Sequence, residues 1–510
     1  MIVNNSMYPL PASYSGISKL QDQFANLQIQ LATGDKAATL AEMGTTRFTD
    51  LTVRARMTRM TAYDGNISKV NLRIDMMNQV LNSISTLTAN ARSGSTPGAY
   101  GSNNTNLGTA PTSAQTRLDQ VLSSLNTDIN GHYLFGGGAT DHPPVASVDD
   151  VLTGANGLDG YSTVAAQRLQ ADQGASGLGR LTLSAATDTV TVTEEGAHPF
   201  GFKLATLGSG SGAVALTAPS GSPASLAVKF TSLPAAGDLV TVGLTMPDGT
   251  TDSVALKAVS GTPVNPGEYQ IGADTTATAA NFKAALQTSL QTDGQTKLAA
   301  ASNLQAANDF FNGQGTVTKR VAVDTGTNTF YAATGYETAA QTKATTVQWY
   351  TGQDSNGAAR TSVSTKVDDT ANVNYGVEAN EIGFTKLVRS LAVQSIQTYP
   401  TTTPAQTAIS QAKYDAVASA QVTNLTASQT GTAGSIASII VDLGLSQTTL
   451  KDLTTRHTAY SAQLQTVLTD AETADPSTVA SALLELQTRL SASYSATAMI
   501  SHLQLVDYLK

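Results

Sequence analysis

Two amphipathic seams, one near each end of the chain, constrain this sequence more than any other feature. From about Ser13 to Thr33, the residues Ile17, Leu20, Phe24, Leu27 and Leu31 follow at steps of three and four, which aligns them along one side of a helix. At the other end Asp475-Pro476 reads as a helix start, and the helix behind it carries Leu483, Leu486, Leu490, Tyr494, Leu503 and Val506. Neither segment has a sequence neighbour that would build a core with it alone. The economical solution pairs the two ends, so that residues 1–42 and 473–510 are expected to form the halves of one domain. A two-helix pair has little interior, and helices owe most of their stability to packing, so this domain is expected to become ordered on assembly.

The same period continues inward. A run from about Thr46 to Arg92 carries Ile67, Val70, Ile74, Met77, Leu81 and Ile84, again at steps of three and four. Unbroken, it would extend about 70 Å at 1.5 Å per residue, the length of a rod rather than of a compact domain. A break at Gly94–Gly108 is followed by a helix expected from about Thr112 to Asn130. On the C-terminal side, IGFTKLVRSLAVQSI precedes a Thr/Pro break, and a long helical region spans about Ala405 to Asp470. That region has Leu450, Leu453, Tyr460, Leu464 and Val467 on one seam, with interruptions expected near Gly431–Gly434 and at Gly444. Residues 43–138 and 391–472 are thus the two halves of a helical rod.

Between them, residues 139–390 switch to a period of two. In DLVTVGLTMPDGTTDSVALKAV, Val240, Val242, Leu244 and Met246 alternate up to Pro247-Asp248-Gly249, and Val254 and Leu256 alternate beyond it, the pattern of a β-hairpin with its turn. LTLSAATDTVTVTEE and TKRVAVDTGTNTFYA read the same way, and one helix is expected at about Thr276 to Leu290. The expected fold class is α+β: a long antiparallel helical bundle built from both termini, with a β-rich central insert. At 510 residues the chain exceeds one core, which agrees with several domains.

Charge and residue usage then exclude functions. A net charge of -9 with no clustered basic patch argues against nucleic acid and against an anionic membrane. No window approaches 18 uninterrupted apolar residues, so no span is expected, and the start MIVNNSMYPLPAS lacks the build of a secretory signal. There is no cysteine, hence no disulfide, thiolate metal site or thiol nucleophile. His132, His142, His198, His457 and His502 form no HExxH or comparable metal spacing. The glycine-rich GGG at Gly136–Gly138 and GSGSG at Gly208–Gly212 match neither a phosphate loop nor a nucleophile elbow. Asp368-Asp369 and Glu194-Glu195 read as solvated turns, and Arg47, Arg54, Arg56 and Arg59 as either a solvated face or an inter-subunit salt-bridge patch. No catalytic residue, metal or cofactor is expected, and the chain is not read as an enzyme.

The transition from rod to insert is the stretch NGHYLFGG. Asn130-Gly131 is expected to end the helix, Tyr133, Leu134 and Phe135 to cover the end of the bundle, and Gly136 with the glycines after it to permit the outward turn.

This stretch, with the asparagine-Gly-x-Tyr-Leu-Phe-Gly order of NGHYLFGGGATDHPPV, resembles bacterial flagellar axial proteins of the flagellin superfamily, and most of all its hook–filament junction branch, hook-associated protein 3. Three other stretches carry the likeness: ISKLQDQFANLQIQLATGDKA near the start, VQWYTGQDSNGAARTSVSTKVDDTANVNYGVEANEIGF on the return from the insert, and LLELQTRLSASYSATAMISHLQLVDYL at the end. The Asp-Asp-Ala-Ala patch that follows the first helix in that family is replaced here by AEMGTTRFTDL. The resemblance implies a structural subunit of the flagellum, exported unfolded by the flagellar type III apparatus with a chaperone on its C-terminal helix. It further implies folding outside the cell without a cleaved signal, and assembly through the paired terminal helices. Its implied partners are further copies of itself, hook-associated protein 1 and flagellin. The alternatives are flagellin itself, which the large insert favours, and a surface adhesive or glycan-binding protein.

Overall fold

A computed structural model describes the backbone of residues 9–98, 100, 107–262 and 264–508, and the side chains of those between 14 and 499. It is 52% helix and 17% strand, an α+β composition. The helices are α1 (Pro9–Thr33), α2 (Thr46–Ser93), α3 (Ala110–Leu125), α4 (Val148–Thr153), α5 (Tyr161–Gln173), α6 (Thr275–Gln295), α7 (Lys297–Phe310), α8 (Ala339–Thr345), α9 (Ile382–Ser395), α10 (Pro404–Gln429), α11 (Ile436–Glu472) and α12 (Pro476–Tyr508). Two short hairpins, β1–β2 (Asp128–Ile129, His132–Tyr133) and β3–β4 (Gly154–Ala155, Leu158–Asp159), precede eight strands of the insert. These are β5 (Leu181–Ala186), β6 (Thr189–Glu194), β7 (Lys203–Ser209), β8 (Val214–Gly221), β9 (Ala224–Phe230), β10 (Leu239–Thr245), β11 (Thr251–Val259) and β12 (Glu268–Gln270). A last hairpin, β13–β14, joins Ser364–Lys366 to Asn372–Asn374.

The chain divides into two compact units. The terminal unit comprises Met1–Lys69, Lys366–Val373 and Thr448–Lys510. The central unit comprises Val70–Thr365 and Asn374–Gln447.

In the central unit, α9 packs against α3, α7 and α10. Phe384, Leu387, Val388 and Ala392 of α9 are fully buried, which the near-continuous apolar run of this helix allows. The insert is built on two four-stranded sheets, ordered β5-β6-β9-β8 and β12-β11-β10-β7. The expected hairpin across Pro247-Asp248-Gly249 is present as β10–β11, with Val240 opposite Leu256 and Val242 opposite Val254. Gly249, at φ +83°, supplies the turn conformation that a side chain would strain. Helix α6 joins both sheets in one core, where the Phe282 ring meets Phe230 at 5.6 Å and Tyr269 at 5.2 Å, both edge-on. Its Ala285, Leu286 and Leu290 continue that face.

Three expectations on the insert and rod need correction. TKRVAVDTGTNTFYA forms no hairpin ladder: only isolated bridges join Val321 to Tyr336 and Asp324 to Thr329. Its polar side chains take the backbone bonds a ladder would use, with Asp324 Oδ1 accepting from both the N–H and the hydroxyl of Thr327. Gly444 does not interrupt α11; a glycine costs a helix only about 1 kcal/mol, and 37 residues of packed helix absorb that. Helix α3 ends at Leu125, before Asn130.

Away from the sheets, Arg168 is buried and bonds Asp172 at 2.7 Å, Asp309 at 3.1 Å and the Tyr336 hydroxyl at 2.6 Å. Burial pushes the Asp309 carboxyl up, against the pull of Arg168. The buried guanidinium thus has two carboxylates and a hydroxyl as acceptors, which offsets the cost of taking its charge out of water.

Candidate assembly surface

Within the terminal unit, α1 and α12 lie against each other. Helix α1 stops at Gly34, whose φ of +79° and N–H bond to Gln30 O end the last turn. Helix α12 starts where Asp475 bonds the hydroxyls of Thr478 and Ser477 and the Ser477 N–H, bonds that also hold its carboxyl below the ordinary range. A short ladder ties the two helix ends together: Lys36 N–H to Glu472 O at 2.7 Å and Ala474 N–H to Gly34 O at 2.8 Å.

Along this pair Ile17, Leu486 and Leu490 are buried together, with Leu20, Phe24 and Leu27 partly covered beside them. Leu483 is half-buried. Leu31, by contrast, is exposed, as is Tyr494, whose hydroxyl accepts a 2.6 Å bond from Gln21 Nε2. A straight helix drifts about 20° per heptad from a strict seam, which carries the far members of each run off the contact line. The side chains of Leu503 and Val506 lie outside the described residues. The cover is one layer deep, and Ile29, Leu31, Leu484 and Met499 stay exposed on the same two helices. Among the described residues, ten of the nineteen exposed large apolar side chains belong to the terminal unit, the smaller of the two.

A separate apolar cluster of this unit joins α2 and α11 through Val53, Leu464 and Leu468, flanked by Met57 and Tyr460. Here the arginine cluster resolves. Arg54 bridges Asp50 and Glu472, Arg56 bonds the Tyr460 hydroxyl at 2.9 Å, and Arg59 stands 3.7 Å from Asp369. The Glu472 carboxyl lowers that of Asp50 beside it and is itself raised by Asp50, as for two acids that compete for one proton. Three of the four arginines are therefore engaged within the chain, and Arg47 is exposed. The expected solvated turn at Asp368-Asp369 is instead a clasp. Asp368 pairs with Arg456, and Asp369 accepts from the Tyr63 hydroxyl at 2.9 Å. Buried His457 reaches Asp64 at 2.7 Å and Asp368 at 3.9 Å. Partners some 90 to 400 positions apart left no local signal in the sequence.

The exit turn lies in the central unit and differs from expectation. Asn130 and Gly131, at φ 54° and 78°, are the two central residues of a tight β-hairpin, with Asp128 opposite Tyr133 and Ile129 opposite His132. Asn-Gly suits the left-handed pair that such a turn requires, so it closes a hairpin and does not cap the helix. The cap is Asn126, whose N–H bonds Leu122 O and whose amide exchanges two bonds with the backbone of Val145. Leu134 and Phe135 are buried, Phe135 edge-on to Phe384 at 5.8 Å, while Tyr133 is half-exposed. Gly136 then pairs with Glu378 of the returning chain, with Ala379 N–H on Phe135 O at 2.8 Å and Gly137 N–H on Val377 O at 3.0 Å. A Cβ on Gly136 would sit 2.2 Å from Ala139 O, so only glycine fits this neck. Outgoing and returning segments thus form one two-stranded neck.

Among the described residues, no group of three or more His, Asp or Glu side chains is placed to hold a metal, and no helix is long and apolar enough to cross a membrane. Residues 3–140 match the family model of the bacterial flagellin N-terminal helical region. The matched stretch takes in α1, α2, α3 and the exit turn and stops where the insert begins. It supports a structural subunit of the flagellin superfamily. None of the curated proteins and none of the solved structures compared with the chain matches it.

Proposed function

We propose that the protein is an extracellular structural subunit of the bacterial flagellum, the hook–filament junction protein, assembling through its terminal helices. The observation that carries this reading is the terminal unit's half-covered seam, in which Ile17, Leu486 and Leu490 are buried while Leu31, Leu484, Tyr494 and Met499 remain open. Neighbouring copies would cover those side chains. Each copy would present one face of its α1–α12 pair to a different face of the next, a heterologous contact that closes into a ring or runs on as a helix. Export through the flagellar type III apparatus, a chaperone on α12, and hook-associated protein 1 and flagellin as neighbours belong to the same proposal.

The second reading is flagellin, favoured by an insert that holds a core of its own. Adding the purified protein to sheared filament seeds and following them by electron microscopy separates the two. Binding at one end without growth fits the junction protein; long growth makes it a filament subunit; no association with either seeds or hooks sinks both. In cells, Leu490→Asp or Leu27→Asp is expected to leave a soluble subunit and abolish motility.

A further inference from the structure

Asn-Gly occurs at four places in the chain, 130–131, 156–157, 312–313 and 356–357. The pair carries a latent reaction, because the amide nitrogen of the glycine can attack the asparagine Cγ with no side chain on the second residue in its way. The N–H proton leaves, the bond from Cγ to Nδ2 breaks and ammonia departs, which closes a succinimide ring. Water then opens the ring at either carbonyl, giving aspartate or isoaspartate. In a folded chain two groups must be free to move for this, the asparagine side chain and the peptide plane between the two residues.

Asn156, at φ 54°, and Gly157, at φ 79°, are the central residues of the β3–β4 hairpin, with Ala155 opposite Leu158. A two-residue loop with positive φ at both positions is a type I′ turn. Ring closure in an L-residue needs the next nitrogen eclipsed with Cβ, at ψ of about −120°, and the first central residue of a type II′ turn stands there with φ of about 60°. Turning the single peptide plane between Asn156 and Gly157 makes that change. Only Gly157 must then move to negative φ, which glycine adopts as readily.

At this turn both groups are free. Asn156 and Gly157 are exposed, and neither the Asn156 side chain nor the Gly157 N–H has a partner among the described residues. The hairpin base is fixed nonetheless: a Cβ on Gly154 would meet Leu158 O at 2.3 Å, and Val347 N–H bonds Asp159 O at 3.0 Å. The other three pairs are held. Gly131 N–H donates to Asp128 Oδ2 at 2.7 Å, which fixes the peptide plane of that turn. Asn312 donates from Nδ2 to Thr316 O at 2.7 Å and accepts from Trp349 Nε1 at 3.1 Å. The Asn356 side chain lies on Gly315, with its Oδ1 only 2.0 Å from where a Cβ on that glycine would stand, and its N–H donates to Asp354 at 2.9 Å.

We infer that Asn156 is a self-modifying residue, the position at which this chain deamidates through a succinimide ahead of its other Asn-Gly pairs. The product puts a new negative charge on the hairpin tip. Isoaspartate also routes the backbone through Cβ and Cγ, adding one backbone atom to a two-residue turn. The register of Ala155 with Leu158 is lost, next to Asp159, the partner of buried Arg320. The change is irreversible and accumulates with the age of the molecule.

The test keeps the full-length protein in mildly alkaline buffer and follows the peptide bearing each Asn-Gly pair by mass spectrometry, with electron-transfer fragmentation to separate isoaspartate from aspartate. The Asn156 peptide is expected to convert several-fold faster than any of the others. In urea the four rates should converge. Asp128→Ala, which frees the Gly131 N–H, should speed conversion at Asn130 several-fold and leave Asn156 unchanged. Faster conversion at another pair overturns the inference, as does an inert Asn156 under conditions in which acetyl-Ala-Asn-Gly-Leu amide converts. A ranking that survives in urea, or an Asn130 rate unmoved by Asp128→Ala, overturns it too, since the fold would then not set the order. None of these outcomes depends on flagellar assembly.

Discussion

The two units are stabilised in different ways. In the central unit, Phe282, Phe230, Leu226 and Val228 are fully enclosed by two sheets and a helix from the same chain. In the terminal unit, the best-buried members of the α1–α12 seam retain 7–8% exposure, and their neighbours along the same helices are open. The first arrangement completes its core alone. The second is covered on one side only, and under the proposed assembly neighbouring copies would supply the rest.

The largest effect should therefore come from the insert. Phe282→Ala removes a ring that touches Phe230 and Tyr269 in a closed core, and should cost about 3–5 kcal/mol. Urea unfolding monitored by hydrogen exchange at 181–295 would register it. A loss below about 1 kcal/mol would mean that the insert, too, depends on neighbours.

Acid should act on the insert next. His198 is buried beside Arg180 and Lys203, and burial above all holds its imidazole down at about 4. The unfolded chain takes up a proton near the ordinary value of about 6.5, so the folded form loses ground as pH falls from about 6.5 to 4 and is unaffected above that window. Up to about 3 kcal/mol is at stake. His198→Gln should flatten the pH dependence of insert stability across that window, and an unchanged slope would assign the acid effect to other groups.

In the seam the order of effects reverses. Leu490→Ala should cost the isolated subunit about 1–2 kcal/mol, below the range for a closed core because its cover is one layer deep. Seeded assembly, by contrast, should fail. A monomer destabilised as strongly as by Phe282→Ala would break the comparison.

How much of this was legible follows the range of the signals. The seam of α2 and the hairpin across Pro247-Asp248-Gly249 rest on spacings within some twenty residues, and the sequence shows them directly; in the runs of α1 and α12 it also picks out Leu31 and Tyr494, which are exposed. Asn130-Gly131 was legible as a break, but the same pair that can end a helix also closes a hairpin, and only the ladder from Asp128 to Tyr133 separates the two. The clasp of Asp368, Arg456 and His457, and the neck between Gly136 and Glu378, join residues that only the folded chain brings together. Replacing Gly131 by Ala tests the hairpin, since a φ of 78° costs a side chain about 1–2 kcal/mol. Faster exchange confined to the hairpin from Asp128 to Tyr133 is the expected result.

The smallest effect should be that of Arg59→Ala. Its ion pair with Asp369 spans 3.7 Å, and both side chains are more than half exposed. Water screens such a pair, and its removal should change stability by about 0.5 kcal/mol or less. Asp369 keeps its bond from Tyr63, and Asp368 keeps Arg456, so the clasp should hold without it. Thermal unfolding of the subunit at low and high salt measures this directly. A salt-sensitive loss well above 1 kcal/mol would show that the terminal unit depends on its polar clasp more than on its thin apolar seams, and Tyr63→Phe should then add to the loss.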